Sequence, residues 1–197
     1  MKSVLISIQP KWCELIASGK KTVEVRKTKP KLETPFKCYI YETKDKKYEN
    51  IGVAGYKQDG TPYIFVNHIG KVIGEFVCDM IDEFSVPYPA YFSEIDDKTR
   101  AIVESACLKP MEIHAYNGTH QTYGWHISDL VIYDKPRELS EFYHYCGDNP
   151  KCDGCEAHYF SNTECGKEDY CCSPIEGCKP LKRPFQSWGY VESEGTE

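Results

Sequence analysis

Apolar and polar positions alternate over Ser3–Ile8 in a run rich in β-branched residues, which predicts a first strand. From Pro10 to Ser18 the spacing becomes helical, with the proline near the first turn and Gly19 placed as a left-handed stop. The next run, GKKTVEVR from Gly19 to Arg26, returns to a period of two. It sets Thr22, Glu24 and Arg26 on one face and Val23 and Val25 on the other. Phe36 to Thr43 reads as an aromatic, β-branched strand, and Lys44 to Lys47 as a solvated turn. Val53–Tyr56 and Tyr63–Val66 flank the tight-turn pair Asp59-Gly60, which predicts a hairpin.

The run KVIGEFVCDMI, Lys71 to Ile81, predicts a core strand with a bulge at Gly74. Ser93 and Asp96 form a variant capping box, with Asp in place of the usual Glu or Gln. It opens a helix carrying Ile95, Ile102, Val103 and Ala106. WHISDLVIY, Trp125 to Tyr133, predicts another strand, ended before Pro136, and Leu139–Tyr143 a helical turn. Between Cys146 and Cys178 aliphatics become scarce and seven of the 11 cysteines cluster. The expected organisation is one domain over residues 1–143, rejoined by 183–192 as a final strand, with 144–182 as a cysteine-rich insertion. A chain of 197 residues suits one sizeable core with such an appendage.

Charge modifies this picture. The chain carries a net −6, yet residues 1–50 hold twelve Lys/Arg against six Asp/Glu, leaving +6 there and −12 in the remainder. A basic surface on an acidic protein is therefore expected near the start. No apolar run approaches the roughly 20 residues that span a bilayer, and no secretory leader is evident. The expectation is a soluble, cytoplasmic protein without a membrane partner. In a reducing compartment, cysteines favour metal-bound or free thiolates over disulfides.

Glu24 and Arg26 project from one strand face with Lys20 and Lys21 beside them. Such a group serves either as a structural ion pair or as a recognition site, and charge alone does not choose. The pattern Gly19-x-Lys21-Thr22-x-Glu24-x-Arg26, after the strand and helix of SIQPKWCELIASG, resembles the signature of the ASCH domain, a relative of the PUA fold. The later GKVIGEFVCD and GWHISDLVIYDKPREL are similar to that family's core and closing strands, so the resemblance spans roughly residues 1–143.

The resemblance implies an α+β fold: a PUA-like mixed β-barrel with flanking helices, here bearing the small cysteine-rich insertion. It also implies a cleft for RNA or a modified nucleotide. Lys21 and Arg26 would meet phosphate, with Glu24 accepting from base or sugar or holding Arg26. Thr22 shares their strand face. Trp12, Tyr39, Tyr41 and Trp125 are the stacking candidates, each also a candidate for the core. His126 would donate to a ligand or serve as a structural side chain.

Some small family members hydrolyse the amide of acetylcytidine, which makes an amidohydrolase acting on an acylated nucleoside the alternative. Lys21 and Glu24 would then be catalytic. The family's nucleophilic threonine falls where this chain has Glu24, so a Lys–Glu pair would have to activate water. A further acidic partner would come from Glu94, Glu104 or Glu112.

Cys152-x2-Cys155, Cys165 and the pair Cys171-Cys172 offer thiolates for one structural zinc. Cys146, Cys178, His144 and His158 are alternates. Metal binding would supply the folding free energy that so few aliphatics cannot. Disulfides, or a reduced loop without metal, are the competing readings, and a protein-interaction adaptor built on this segment is a third functional class.

Overall fold

The computed structural model describes residues 2–49, 51–57, 60–145 and 180–192. Its first unit follows the hydrophobic pattern closely. Strand β1 (Lys2–Ile8) leads directly into helix α1 (Pro10–Ala17), where Pro10 occupies the first turn. Pro10, Cys13, Ile16 and Ala17 form its buried stripe. Gly19 ends the helix region at φ +74°, a conformation that costs a residue with a Cβ. Strand β2 (Val23–Arg26) follows, then β3 (Phe36–Glu42).

Beyond these lie the hairpin β4 (Gly52–Tyr56) and β5 (Pro62–Val66), then β6 (Val72–Cys78) and β7 (Ile81–Phe84). Helices α2 (Asp97–Ser105) and α3 (Pro110–Asn117) precede β8 (Thr122–His126) and β9 (Ser128–Arg137). Strand β10 (Trp188–Glu192) is antiparallel to β1.

Five strands form one sheet in the order β10-β1-β3-β6-β9, with β1 and β3 parallel and the other pairs antiparallel. A second sheet runs β2-β8-β7, and β4 and β5 form a two-stranded sheet. The chain passes between the two larger sheets four times, into and out of β2 and then at Asp79–Met80 and at Ile127. The runs expected as single strands at 71–81 and 125–133 are therefore each two strands. These breaks divide the ladders, and the expected closed barrel is corrected to an α+β arrangement of separate sheets. No closed barrel occurs among the described residues.

Alternation along β1 and β3 divides the interior. Val4, Ile6, Ile8, Cys38 and Ile40 face a core shared with α1, Phe76 and Trp125. Leu5, Tyr39 and Tyr41 face the opposite side, against Phe142, Leu181 and Val191. On β2, Val23 and Val25 enter a third cluster with Phe84, Ile102 and Val103. Glu24 and Arg26 are thereby turned toward α1 and the end of β1.

Helix α2 begins later than the capping pattern suggests. Asp96 is its cap, accepting from the Thr99 backbone N–H at 2.7 Å, so Ile95 lies before the helix. No helix among the described residues is long and apolar enough to cross a membrane.

Candidate functional site

Lys21 stands just before β2, its backbone N–H bonded to the Leu15 carbonyl at the end of α1. Its ammonium donates to the Ala106 carbonyl at 2.8 Å and lies 3.3 Å from Glu24 Oε2. The other Glu24 oxygen, Oε1, is 3.0 Å from the Arg26 guanidinium. Arg26 also donates to the Ser7 carbonyl at 2.7 Å and to Ser187 Oγ at 3.4 Å. Lys21, Glu24 and Arg26 are 3%, 6% and 8% exposed. A carboxylate with one cation on each oxygen, backed by carbonyls, meets the conditions under which buried charge is tolerated.

These three side chains nevertheless line an open cleft of about 490 Å³. One wall is α1 and the turn before it, with Gln9, Lys11 and Trp12. The opposite wall is Leu108 and α3, with Glu112, Ile113 and Tyr116, while Gln186 and Ser187 close one end. Among these lining residues three cations meet two carboxylates, so the cleft carries a formal +1. Among the described residues three N–H groups of these cations remain uncommitted: the buried Arg26 Nε, the second hydrogen of Arg26 Nη1 and the third of the Lys21 ammonium.

Trp12 is half-buried, with the Lys11 ammonium 4.1 Å and the Lys21 ammonium 5.2 Å from its ring centroid. A flat π face beside fixed cations suits a planar ligand carrying negative charge. Cys13, behind this floor, is inert: burial pushes its thiol up, and the Glu42 and Glu24 carboxylates add to the shift.

Other expected residues lie elsewhere. Thr22 is exposed and outside the cleft, because the ladder starts at Val23 and the Thr22 backbone N–H bonds to the Ser105 carbonyl. Trp125 is 0% exposed, packed edge-on against Phe36 at 5.8 Å, and serves the core. His126 lies outside the cleft, 2.8 Å from Asp82, which also pairs with Lys98 at 2.7 Å. Burial opposes ionisation of Asp82, but hydrogen bonds from Lys98 and His126 hold its carboxyl below the usual range. Tyr39 belongs to the core, and Tyr41 faces an adjoining cavity.

Of the three acidic candidates only Glu112 lines the cleft, and its Oε2 accepts from the Lys109 backbone N–H at 2.8 Å. Gln186, Ser187 and Tyr116 carry no local sequence signal. Ser187 lies 161 positions from the arginine it contacts.

Cys152, Cys155, Cys165, Cys171 and Cys172 lie outside the described residues. Among the described residues no cluster of three or more His, Cys, Asp or Glu could hold a metal ion.

The family model for the ASCH domain matches residues 6–100, which contain the end of β1, α1, β2 and the cleft's charged floor. Among solved structures, the chain is similar to the crystal structure of ASCH from Zymomonas mobilis, with 21% identity and a TM-score of 0.46. That match covers 70% of this chain and 73% of the other. A substituted form of the same Zymomonas mobilis protein aligns over 71% of this chain and 77% of its own, also at 21% identity and a TM-score of 0.46. No curated protein matches the chain.

Proposed function

The chain carries an ASCH domain, of the PUA-like families, and from that premise we propose that it binds RNA or a modified nucleotide in the cleft floored by Lys21, Glu24 and Arg26. The observation that carries this reading is the pairing of the charged floor with Trp12 on one open wall. Arg26 and Lys21 supply donors for phosphate or for base acceptors, and Glu24 holds both cations in place. Trp12 supplies the stacking face. Base stacking is worth about 1–3 kcal/mol, whereas an exposed cation–π contact is worth about 0.5–1 kcal/mol, so an incoming base displaces the Lys11 ammonium from the ring.

Titration of the full chain with single-stranded RNA tests this reading. Affinity should fall as salt rises, weaken on Arg26→Ala, and leave the RNA chemically unchanged. Affinity that ignores both salt and Arg26 would sink it.

The hydrolase alternative fits the floor less well. The Lys21 ammonium is engaged by the Glu24 carboxylate and the Ala106 carbonyl, which ties its donors down away from a reacting water. Acetate release from acetylcytidine that stops on Lys21→Ala would reinstate it. An adaptor would instead survive Lys21→Ala and Arg26→Ala yet fail on replacement of Cys152 and Cys155.

Cys152, Cys155, Cys165 and one of Cys171 or Cys172 would hold one structural zinc. One zinc per chain by elemental analysis would support that site, and none in freshly reduced protein would remove it.

A further inference from the structure

The charged cleft has a neighbour across Ser7. A second cavity of about 730 Å³ adjoins it and shares three lining residues with it, Ser7, Thr43 and Gln186. Its outer wall is the segment 180–186, which lies beyond the residues that the ASCH model matches. This segment is fixed in place. Leu181 is buried, its backbone N–H donating to the Phe142 carbonyl at 2.8 Å, and Ser7 Oγ donates to the Phe185 carbonyl at 2.6 Å. Ser7 also accepts from Arg26 through its own carbonyl, so one residue joins the wall of the second cavity to the floor of the first.

The second cavity has the chemistry of a nucleic-acid subsite. Lys44, Lys182 and Arg183 line it, and none is ion-paired among the described residues. Its one lining carboxylate, Glu138, is paired with Lys71. Phe185, half-buried, adds aromatic surface, while Tyr41 beneath it is 2% exposed and belongs to the core. Three cations without an ion-pair partner among the described residues, in a cavity that adjoins a first cleft of similar character, suit the next nucleotide of a strand.

We propose that this second cavity receives the neighbouring nucleotide of a single RNA strand whose first base lies against Trp12. The preferred ligand is then an RNA chain of two or more nucleotides, with Lys182 and Arg183 as phosphate contacts. A free nucleoside would fill only the first cleft. This rests on the nucleotide-binding reading of that cleft and adds to it the length of the ligand.

The test compares uridine 5′-monophosphate with a five-uridine RNA strand on the full chain. Lys182 and Arg183 are exposed, so the Lys182→Ala/Arg183→Ala double variant should keep its unfolding midpoint. Its affinity for the strand should drop roughly tenfold, and the salt dependence should flatten by about 1.4 in log–log slope, as for two lost contacts. Affinity for the monophosphate should stay within about twofold of the parent, by the same electrostatic argument.

Equal losses for both ligands, or no loss for either, would overturn the proposal. Trp12→Ala separates the two levels of inference by weakening both ligands. If it does so while the double variant changes nothing, the first cleft stands and the second falls. Failure of the parent chain to bind either ligand overturns both. Displacement of the RNA by poly-glutamate at equal charge would also overturn the proposal, in favour of an acidic protein partner.

Discussion

Glu24 Oε1 lies 3.0 Å from the Arg26 guanidinium while Oε2 lies 3.3 Å from the Lys21 ammonium, so one carboxylate pairs with two buried cations. Removing it strands both. Glu24→Ala should cost on the order of 3 kcal/mol, the range for breaking a buried pair on one side. Chemical denaturation would measure it. Glu24→Gln keeps the shape and one acceptor and should cost less. A loss below about 1 kcal/mol for Glu24→Ala would mean that cleft water hydrates the cations well enough to replace the carboxylate.

Trp12 and Trp125 separate binding from stability. Trp12 lines the open cleft, whereas Trp125 is fully buried among Phe36 and its neighbours. Trp12→Ala should weaken RNA binding by about 1–3 kcal/mol, roughly fivefold to 150-fold, and Trp12→Phe should retain most of the affinity. Trp125→Ala should instead lower stability by about 3–5 kcal/mol. Titration and thermal unfolding of the three variants would check the division.

The sequence made the β1-α1-β2 unit readable because its signals are local. Pro10 opens the helix, Gly19 stops it, and the alternation of Val23, Glu24, Val25 and Arg26 sets two faces. The same alternation misplaced Thr22, since period two holds only where the ladder exists and that ladder begins one residue later.

Burial of aromatics was less legible. Trp12 and Trp125 look alike in sequence, and which one faces the cleft depends on how the two sheets meet. The separate sheets were hidden because no strong turn signal marks Asp79–Met80 or Ile127. Helix α3, which supplies Glu112 and Tyr116, shows no clear amphipathic pattern and buries only Pro110 and Ile113. Ser187 reaches the site through the strand order of the sheet, which no local pattern encodes.

Gly74 is held to glycine by the β6–β9 pairing. A Cβ there would lie 2.3 Å from the Val131 backbone oxygen and 3.2 Å from the Ile132 Cα. Backbone cannot swing aside as a side-chain tip can, and the register already shifts between Val72 and Gly74. Gly74→Ala should therefore destabilise by at least about 1–3 kcal/mol, the usual range for overpacking. Hydrogen exchange should show protection lost first at Val131 and Ile132. Unchanged protection there would contradict the close approach.

Glu42 gives the fold a specific pH dependence. It is fully buried at the end of β3, where its Oε2 accepts from the His68 backbone N–H at 2.5 Å and its Oε1 has no partner among the described residues. Burial pushes its carboxyl up to about 7 from an ordinary value of 4.5, and the His68 hydrogen bond only partly opposes the shift. Below pH 4.5 the group is neutral in both folded and unfolded chains, and its contribution is fully present. As pH rises from 4.5 toward 7 the unfolded chain releases this proton while the folded chain keeps it, so stability falls. Above about 7 both forms are ionised and the loss is complete. Glu42→Gln, which retains an acceptor for His68, should remove this slope and leave the variant more stable than the parent at pH 8 by roughly 2–3 kcal/mol. Unfolding midpoints from pH 4 to 8 would measure it, and parallel profiles for the two proteins would show that folding leaves the Glu42 carboxyl at its ordinary value.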